Sequence, residues 1–383
     1  MTSLPFRPRP LALAAGVVGA VSFGLAYRFA LQYREKVGLP HRSPVEGNPA
    51  DFGLAFESVE IPSGDARLAG WFVPAEGSDG PDRPARPRPA VAIVHGWESN
   101  RGRSVAHARY LHAAGFHCLV IDVRGHGDNP PEEMPLNVPE FGADAAAAAR
   151  WLAARPDVSA VGLLGHSLGG AGVIVAGASE PAVRAVVALS SPADLVRITR
   201  KTFEMAERHI PRPVATPLAY LTAAVLVVQR GHSIDDASAC VAAARYCGPL
   251  LLLHGEDDQG VPLAHLALIA DAARGARTDP GSAPVETVIV PGYGHRWLYE
   301  DAGVRRRTAS FFAKELGGPV APKKAGGLAA ACVVERPENP IYGFGAASAA
   351  VAAEAEAREK ARLEARARAT IEASEEAGRP PLD

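Results

Sequence analysis

The sequence predicts an α/β fold in which a mostly parallel central sheet carries helices on both faces. Three observations predict it. From Ala90 onward, short apolar runs alternate with stretches of helical periodicity, the rhythm of strands joined by crossover helices. The runs are continuously apolar, as strands covered on both faces are. Third, Gly165-His166-Ser167-Leu168-Gly169 stands between the apolar run 159–164 and a small-residue helical stretch at 170–178, which reads as strand, tight turn and helix in succession.

Taken in order, the chain begins with Arg7 and Arg9, an uncharged stretch over 11–27, and then Arg28, Arg34 and Lys36. The stretch falls just short of the roughly 20 residues of a full span. It reads as an N-terminal membrane helix and predicts a single-pass membrane protein. A signal peptide cut near Gly24-Leu25-Ala26, leaving a secreted chain, is one alternative, and a buried globular helix is the other. Positive charge on both sides gives no orientation. Residues 56–61 and 67–73 alternate as half-buried strands around Ser63-Gly64-Asp65 and form a predicted hairpin. Residues 76–89 are a Pro, Gly, Asp and Arg mixture without periodicity, an exposed loop.

The parallel strands are expected at 91–94, 116–123, 159–164, 183–189, 250–253 and 286–290, with helices at 104–114, 141–154, 170–178, 263–273 and 304–316. An insert over 194–246 interrupts the alternation. Its apolar stretch 213–228, broken by Thr216, Pro217 and Thr222, fits a short helical lid over the site or an ordinary core-packing helix. After Gly317 the core pattern ends. From Ala346 an Ala, Glu and Arg helical tail follows, with pairs such as Glu354 with Arg358 and Glu364 with Arg368. Three domains result: an anchor or signal segment with its linker (1–45), a core domain (46–316, insert about 194–246), and a linker with helical tail (317–383).

At 383 residues and 48% hydrophobic content the chain can bury a large core. A formal net charge of -2 with scattered basic residues excludes the concentrated positive face that nucleic-acid binding needs. Cys118, Cys240, Cys247 and Cys332 show no Cys-x-x-Cys spacing, so neither a metal site nor a disulfide framework is expected. No cofactor is implied.

The chemistry-bearing residues fall at strand ends. Ser167 sits at the apex of the glycine-flanked turn, where only minimal neighbours let the backbones approach. Val94-His95-Gly96-Trp97 ends the first parallel strand and offers the Trp97 N–H as one oxyanion donor; the Leu168 N–H, at the head of the next helix, is the other. His254-Gly255-Glu256-Asp257-Asp258-Gln259-Gly260-Val261-Pro262 follows the strand at 250–253 and supplies acids that can orient a histidine. Pro291-Gly292-Tyr293-Gly294-His295 follows the last strand and makes His295 the candidate general base.

The order serine, acid, histidine and these motifs, together with Asp122-Val123-Arg124-Gly125-His126-Gly127, resemble the α/β-hydrolase superfamily, in particular its serine-aminopeptidase-like and esterase-like branch, over about 56–316. The resemblance implies the α/β-hydrolase fold and an acid three residues before the Val261-Pro262 pair, which is Asp258. Asp257 and Asp194 are the other acids it allows. It assigns His126 no catalytic role, while His166 is expected to support the turn.

The implied activity is a serine hydrolase of carboxylesterase type, acting on a small-molecule ester through an acyl-enzyme on Ser167. The apolar insert and the anchor point to lipophilic or acyl esters. Amide or peptide cleavage and acyl transfer use the same triad and remain open. A membrane-tethered scaffold without activity is the reading from a different class, and an intact triad speaks against it.

Overall fold

The computed structural model describes residues 10–76, 87–205, 210–279 and 281–334, and side chains from residue 19 onward except that of Met205. The alanine-rich tail lies outside the described residues. Among the described residues, eight strands form one sheet: β1 (Glu57–Ser63), β2 (Ala66–Val73), β3 (Arg88–Val94), β4 (His117–Ile121), β5 (Val158–His166), β6 (Val183–Leu189), β7 (Leu250–Gly255) and β8 (Val285–Val290). Their order is β1-β2-β4-β3-β5-β6-β7-β8. The hairpin β1/β2 is antiparallel, β2 is antiparallel to β4, and every pairing from β4 to β8 is parallel.

Direction of winding reverses at β3. The chain passes from β3 outward to β4, then returns across β3 to β5 and proceeds to β8. Ligands of open parallel sheets bind outside the carboxyl ends of the strands at such a reversal, and here the reversal lies between the strands that end at Val94 and His166.

The helices cover both faces. They are α1 (Pro10–Gly38), α2 (Arg101–Ala113), α3 (Val138–Ala153), α4 (Leu168–Ser179), α5 (Leu195–Met205), α6 (Arg212–Val227), α7 (Ala239–Arg245), α8 (Ala264–Gly275), α9 (Ala302–Leu316) and α10 (Pro322–Ala331). Asn100 and Asn137 cap α2 and α3, their side chains accepting from Gly102 N–H and Val138 N–H. The two cores lie on opposite faces of the sheet, as the pleat demands. Ala90, Ala92 and Val94 face one with Phe141 and Ala145, while Val91 and Ile93 face the other with Tyr110 and Phe312. Small residues bring α3 and α4 together: a Cβ on Gly172 would lie 2.6 Å from Phe141 Cβ.

Two regions depart from what the pattern predicts, and the insert takes the second of its two readings, the core-packing helix. The expected membrane helix is not supported: among the described residues no helix is long and apolar enough to cross a membrane. Helix α1 covers the segment, yet its second half carries Arg28, Arg34, Glu35 and Lys36 and docks on protein. Phe29 and Tyr33 meet Phe203 of α5 edge-on, with ring centroids 5.8 and 5.0 Å apart, and Leu136 N–H donates to Gly38 O at 2.7 Å. The insert is a helical layer of α5, α6 and α7 whose Ala215, Ala219, Ala223 and Leu226 are buried in the core shared with α3 and α4. Last, packing continues past residue 316. Ala325 and Ala329 of α10 are buried, a Cβ on Gly326 would meet Ser310 Oγ at 2.2 Å, and the Arg305 guanidinium donates to Ala329 O and Ala330 O.

Candidate active site

Ser167 follows directly on β5 and precedes α4, with φ 54 and ψ -121, a conformation that non-glycine residues adopt at a cost of about 1–3 kcal/mol. The neighbours explain why it is tolerated. A Cβ on Gly165 would lie 2.2 Å from Gly169 O, and one on Gly169 would lie 2.3 Å from His95 O and 2.5 Å from Val94 O. Only glycine at both positions lets the turn close against the end of β3. Ser167 N–H donates to Leu189 O at 2.8 Å and fixes the turn to β6. The hydroxyl does not cap α4 and is left for another partner.

That partner is His295, from the loop after β8. His295 Nε2 lies 2.9 Å from Ser167 Oγ, and His295 Nδ1 lies 2.8 Å from Asp258 Oδ2 in the loop after β7. Asp258 accepts a second bond at Oδ1 from Val261 N–H at 2.7 Å. Because a carboxylate only accepts, Nδ1 carries the imidazole proton and Nε2 is free to accept the Ser167 Oγ–H. The two loops are pressed together: a Cβ on Gly255 would sit 2.2 Å from Gly294 O, so glycine there sets the distance from Asp258 to His295.

Burial alone would raise the Asp258 pKa. The attraction of His295 and hydrogen bonds from His254 and His295 outweigh it and hold the carboxyl well below the usual carboxylate range. His254, 1% exposed, shares its Nε2–H between Val261 O at 2.8 Å and Asp258 Oδ2 at 3.3 Å. Asp258 therefore stays ionised and oriented beneath the imidazole. Of the other acids, Asp194 pairs with Arg197 at 2.8 Å, and Asp257 N–H donates to Tyr293 O; it is Asp258 that the fold brings to His295.

His166 donates from Nε2 to His295 O at 2.7 Å, with the two rings 5.0 Å apart. It thus pins the backbone of the histidine loop as well as the turn. His95 donates from Nδ1 to Gly96 O at 2.7 Å and accepts at Nε2 from Val123 N–H at 3.0 Å, tying the β3 loop to the turn after β4. Gly96 approaches Ser167 closely, since a Cβ there would lie 3.1 Å from Ser167 Cβ. Trp97 follows it, and Leu168 opens α4.

One cavity opens over Ser167 and His295. Its apolar walls are Trp97, Leu189, Trp297 and Leu298, and Glu98 and Ser104 contribute polar groups. Among the described residues, none of those lining it comes from the insert over 194–246. The sequence pattern points to the insert as the region that selects substrate, whereas the walls come from the β3 loop, α2, the end of β6 and the segment after His295. Trp297 is the residue that sequence reasoning misses; its signal is proximity, two positions beyond the candidate base. Glu98 has no local signal at all.

Burial lowers the pKa of His95 and His107 to about 4 and of His126 and His166 to about 3. In the unfolded chain each takes a proton near 6.5. Below that pH the unfolded state binds protons that the folded state refuses, so this stability is fully present above pH 6.5 and is lost as pH falls toward 4 and 3. Each group withdraws about 2 kcal/mol by pH 5. The thermal unfolding midpoint is expected to fall by roughly 10 °C or more between pH 7 and pH 5. A midpoint constant over that interval would contradict the neutral burial of these four rings.

The family model described as serine aminopeptidase, S33, matches residues 85–227. The uncharacterised protein Rv2307c of Mycobacterium tuberculosis is 28% identical over 294 residues, covering 76% of this chain and 89% of that protein. The monoacylglycerol lipase of Mycolicibacterium smegmatis is 26% identical over 249 residues, covering 56% of this chain and 83% of that enzyme. Among solved structures, the esterase Pf2001 of Pyrococcus furiosus superposes with a TM-score of 0.54 at 21% identity over 73% of this chain and 99% of that one, a likeness of fold.

Proposed function

We propose that this chain, which belongs to the α/β-hydrolase superfamily, hydrolyses carboxylic esters through an acyl-enzyme on Ser167. The observation that carries the reading is the position of His295, whose two ring nitrogens lie within hydrogen-bond distance of Ser167 Oγ and Asp258 Oδ2. As the hydroxyl attacks the ester carbonyl, its proton passes to His295 Nε2, and Asp258 stabilises the imidazolium that forms. The carbonyl oxygen becomes an oxyanion taken up by the N–H groups of Trp97 and Leu168, the latter at the positive end of α4. His295 then returns the proton to the leaving alkoxide. Water repeats the sequence on the acyl-enzyme and frees Ser167.

The acyl group this site takes is apolar and longer than acetyl. Trp97, Leu189, Trp297 and Leu298 around the nucleophile support that choice, as does the likeness to a protein named monoacylglycerol lipase. Turnover of p-nitrophenyl esters is expected to rise from acetate to butyrate and beyond, with aminoacyl nitroanilides cleaved more slowly. The second reading, an aminopeptidase, is favoured by the description of the matching family model; faster turnover of the nitroanilides would establish it and displace the esterase. A rate that falls steadily from acetate upward would remove the lipophilic acyl group.

A further inference from the structure

The chain between α1 and β1 crosses the loop that carries Trp97 and grips the residues just after it. Glu98, its side chain 5% exposed, accepts at Oε1 from His41 N–H at 3.0 Å and from His41 Nδ1 at 2.7 Å. Glu98 O accepts from Ser43 Oγ at 3.1 Å. Asn100 Nδ2 donates to Ser43 O at 3.2 Å and to Pro44 O at 2.9 Å. These bonds join residues 55 to 57 positions apart. Upstream the same segment is fixed at Gly38, where a Cβ would meet Pro135 Cβ at 2.6 Å and Leu226 Cδ2 at 3.2 Å.

Glu98 needs to be held. Its φ is 53, in the left-handed region that residues with a long side chain seldom enter, and its Oε2 is buried with no hydrogen-bond partner among the described residues. Among the described residues, four non-glycine residues have positive φ, and three of them, Glu98, Ser167 and Trp297, line the cavity over the nucleophile. Such strain persists only where the surroundings over-determine it. At Glu98 the surroundings are His41 and Ser43. Relaxation about φ of Glu98 would swing the chain on its N-terminal side, Trp97 included, away from Ser167.

We propose that residues 41–43 are a positioning strap that holds Glu98 in its left-handed conformation and thereby sets the Trp97 N–H toward the reacting carbonyl oxygen. The proposal rests on ester hydrolysis at Ser167. His41 and Ser43 act through Glu98 and touch neither substrate nor nucleophile. The His41 side chain is 74% exposed, so its removal leaves no cavity in the core.

His41→Ala and Ser43→Ala are each expected to lower kcat on p-nitrophenyl butyrate by about tenfold, a fraction of the loss when an oxyanion donor is removed outright, with KM unchanged. Both are expected to weaken a trifluoromethyl ketone inhibitor by a similar factor, because its hemiketal oxyanion draws on the same N–H. His41→Asn places an amide nitrogen where Nδ1 stood and restores most of the rate. The unfolding midpoint of His41→Ala stays within about 2 °C of wild type. Unchanged kcat and inhibitor affinity overturn the strap, and so does a rate loss that only tracks a fall in midpoint. Amide hydrogen exchange over residues 96–99 decides the matter without turnover. Faster exchange in the double variant supports the strap and unchanged exchange overturns it, whereas a wild type that cleaves no ester bears on the function alone.

Discussion

Replacing Ser167 with alanine is expected to lower ester turnover by about ten-thousand-fold or more, with little change in KM. The hydroxyl forms its bond to the carbonyl carbon only in the chemical step, so its loss is felt in kcat. At 1.36 kcal/mol per tenfold, the loss corresponds to about 5 kcal/mol or more of transition-state stabilisation. Folding is untouched, since the Ser167 side chain supplies no cap to α4 and alanine removes a single oxygen. Steady-state kinetics on p-nitrophenyl butyrate measures the effect. A variant that keeps more than a hundredth of the wild-type rate would remove Ser167 from the reaction.

Asp258→Asn is expected to cost nearly as much, about 10³–10⁴-fold in kcat, and the surrounding donors show why. Val261 N–H donates to Oδ1 at 2.7 Å, so an asparagine keeps its oxygen there and turns its amide nitrogen to the Oδ2 position. That position faces His295 Nδ1 at 2.8 Å and His254 Nε2 at 3.3 Å. Two N–H donors would confront a third. His295 escapes by moving its proton to Nε2, and in that tautomer it can no longer accept the proton of Ser167. Rates with a circular-dichroism control for folding test this, and activity within tenfold of wild type would show that the charge and orientation of Asp258 do not matter.

The parts of the site legible in the sequence are those whose geometry is local. Gly165 and Gly169 announce a turn in which no side chain fits, and the backbone carbonyls at 2.2 and 2.3 Å from their absent Cβ atoms are the physical content of that signal. Strand ends are legible for the same reason, because a buried apolar run followed by a glycine-rich loop places Asp258 and His295 on one edge of the sheet. What depends on contacts between distant segments left no periodic trace. The bonds from His41 and Ser43 to Glu98 and from Asn100 back to the strap join residues more than fifty positions apart, and nothing in 39–46 differs from an ordinary linker. Helix α10 buries alanine and glycine against α9, so it lacks the large apolar stripe by which a core helix is found. The uncharged stretch at the start of α1 reads as a membrane span, whereas its second half packs through Phe29 and Tyr33 on the insert.

The central claim is that Ser167 is a nucleophile activated by His295. Reaction with a fluorophosphonate, followed by intact mass and peptide mapping, tests it most directly. The wild-type chain is predicted to gain one phosphonyl group on the peptide containing Ser167, and Ser167→Ala to gain none. An unmodified wild type, or an adduct that persists in Ser167→Ala, would contradict the claim.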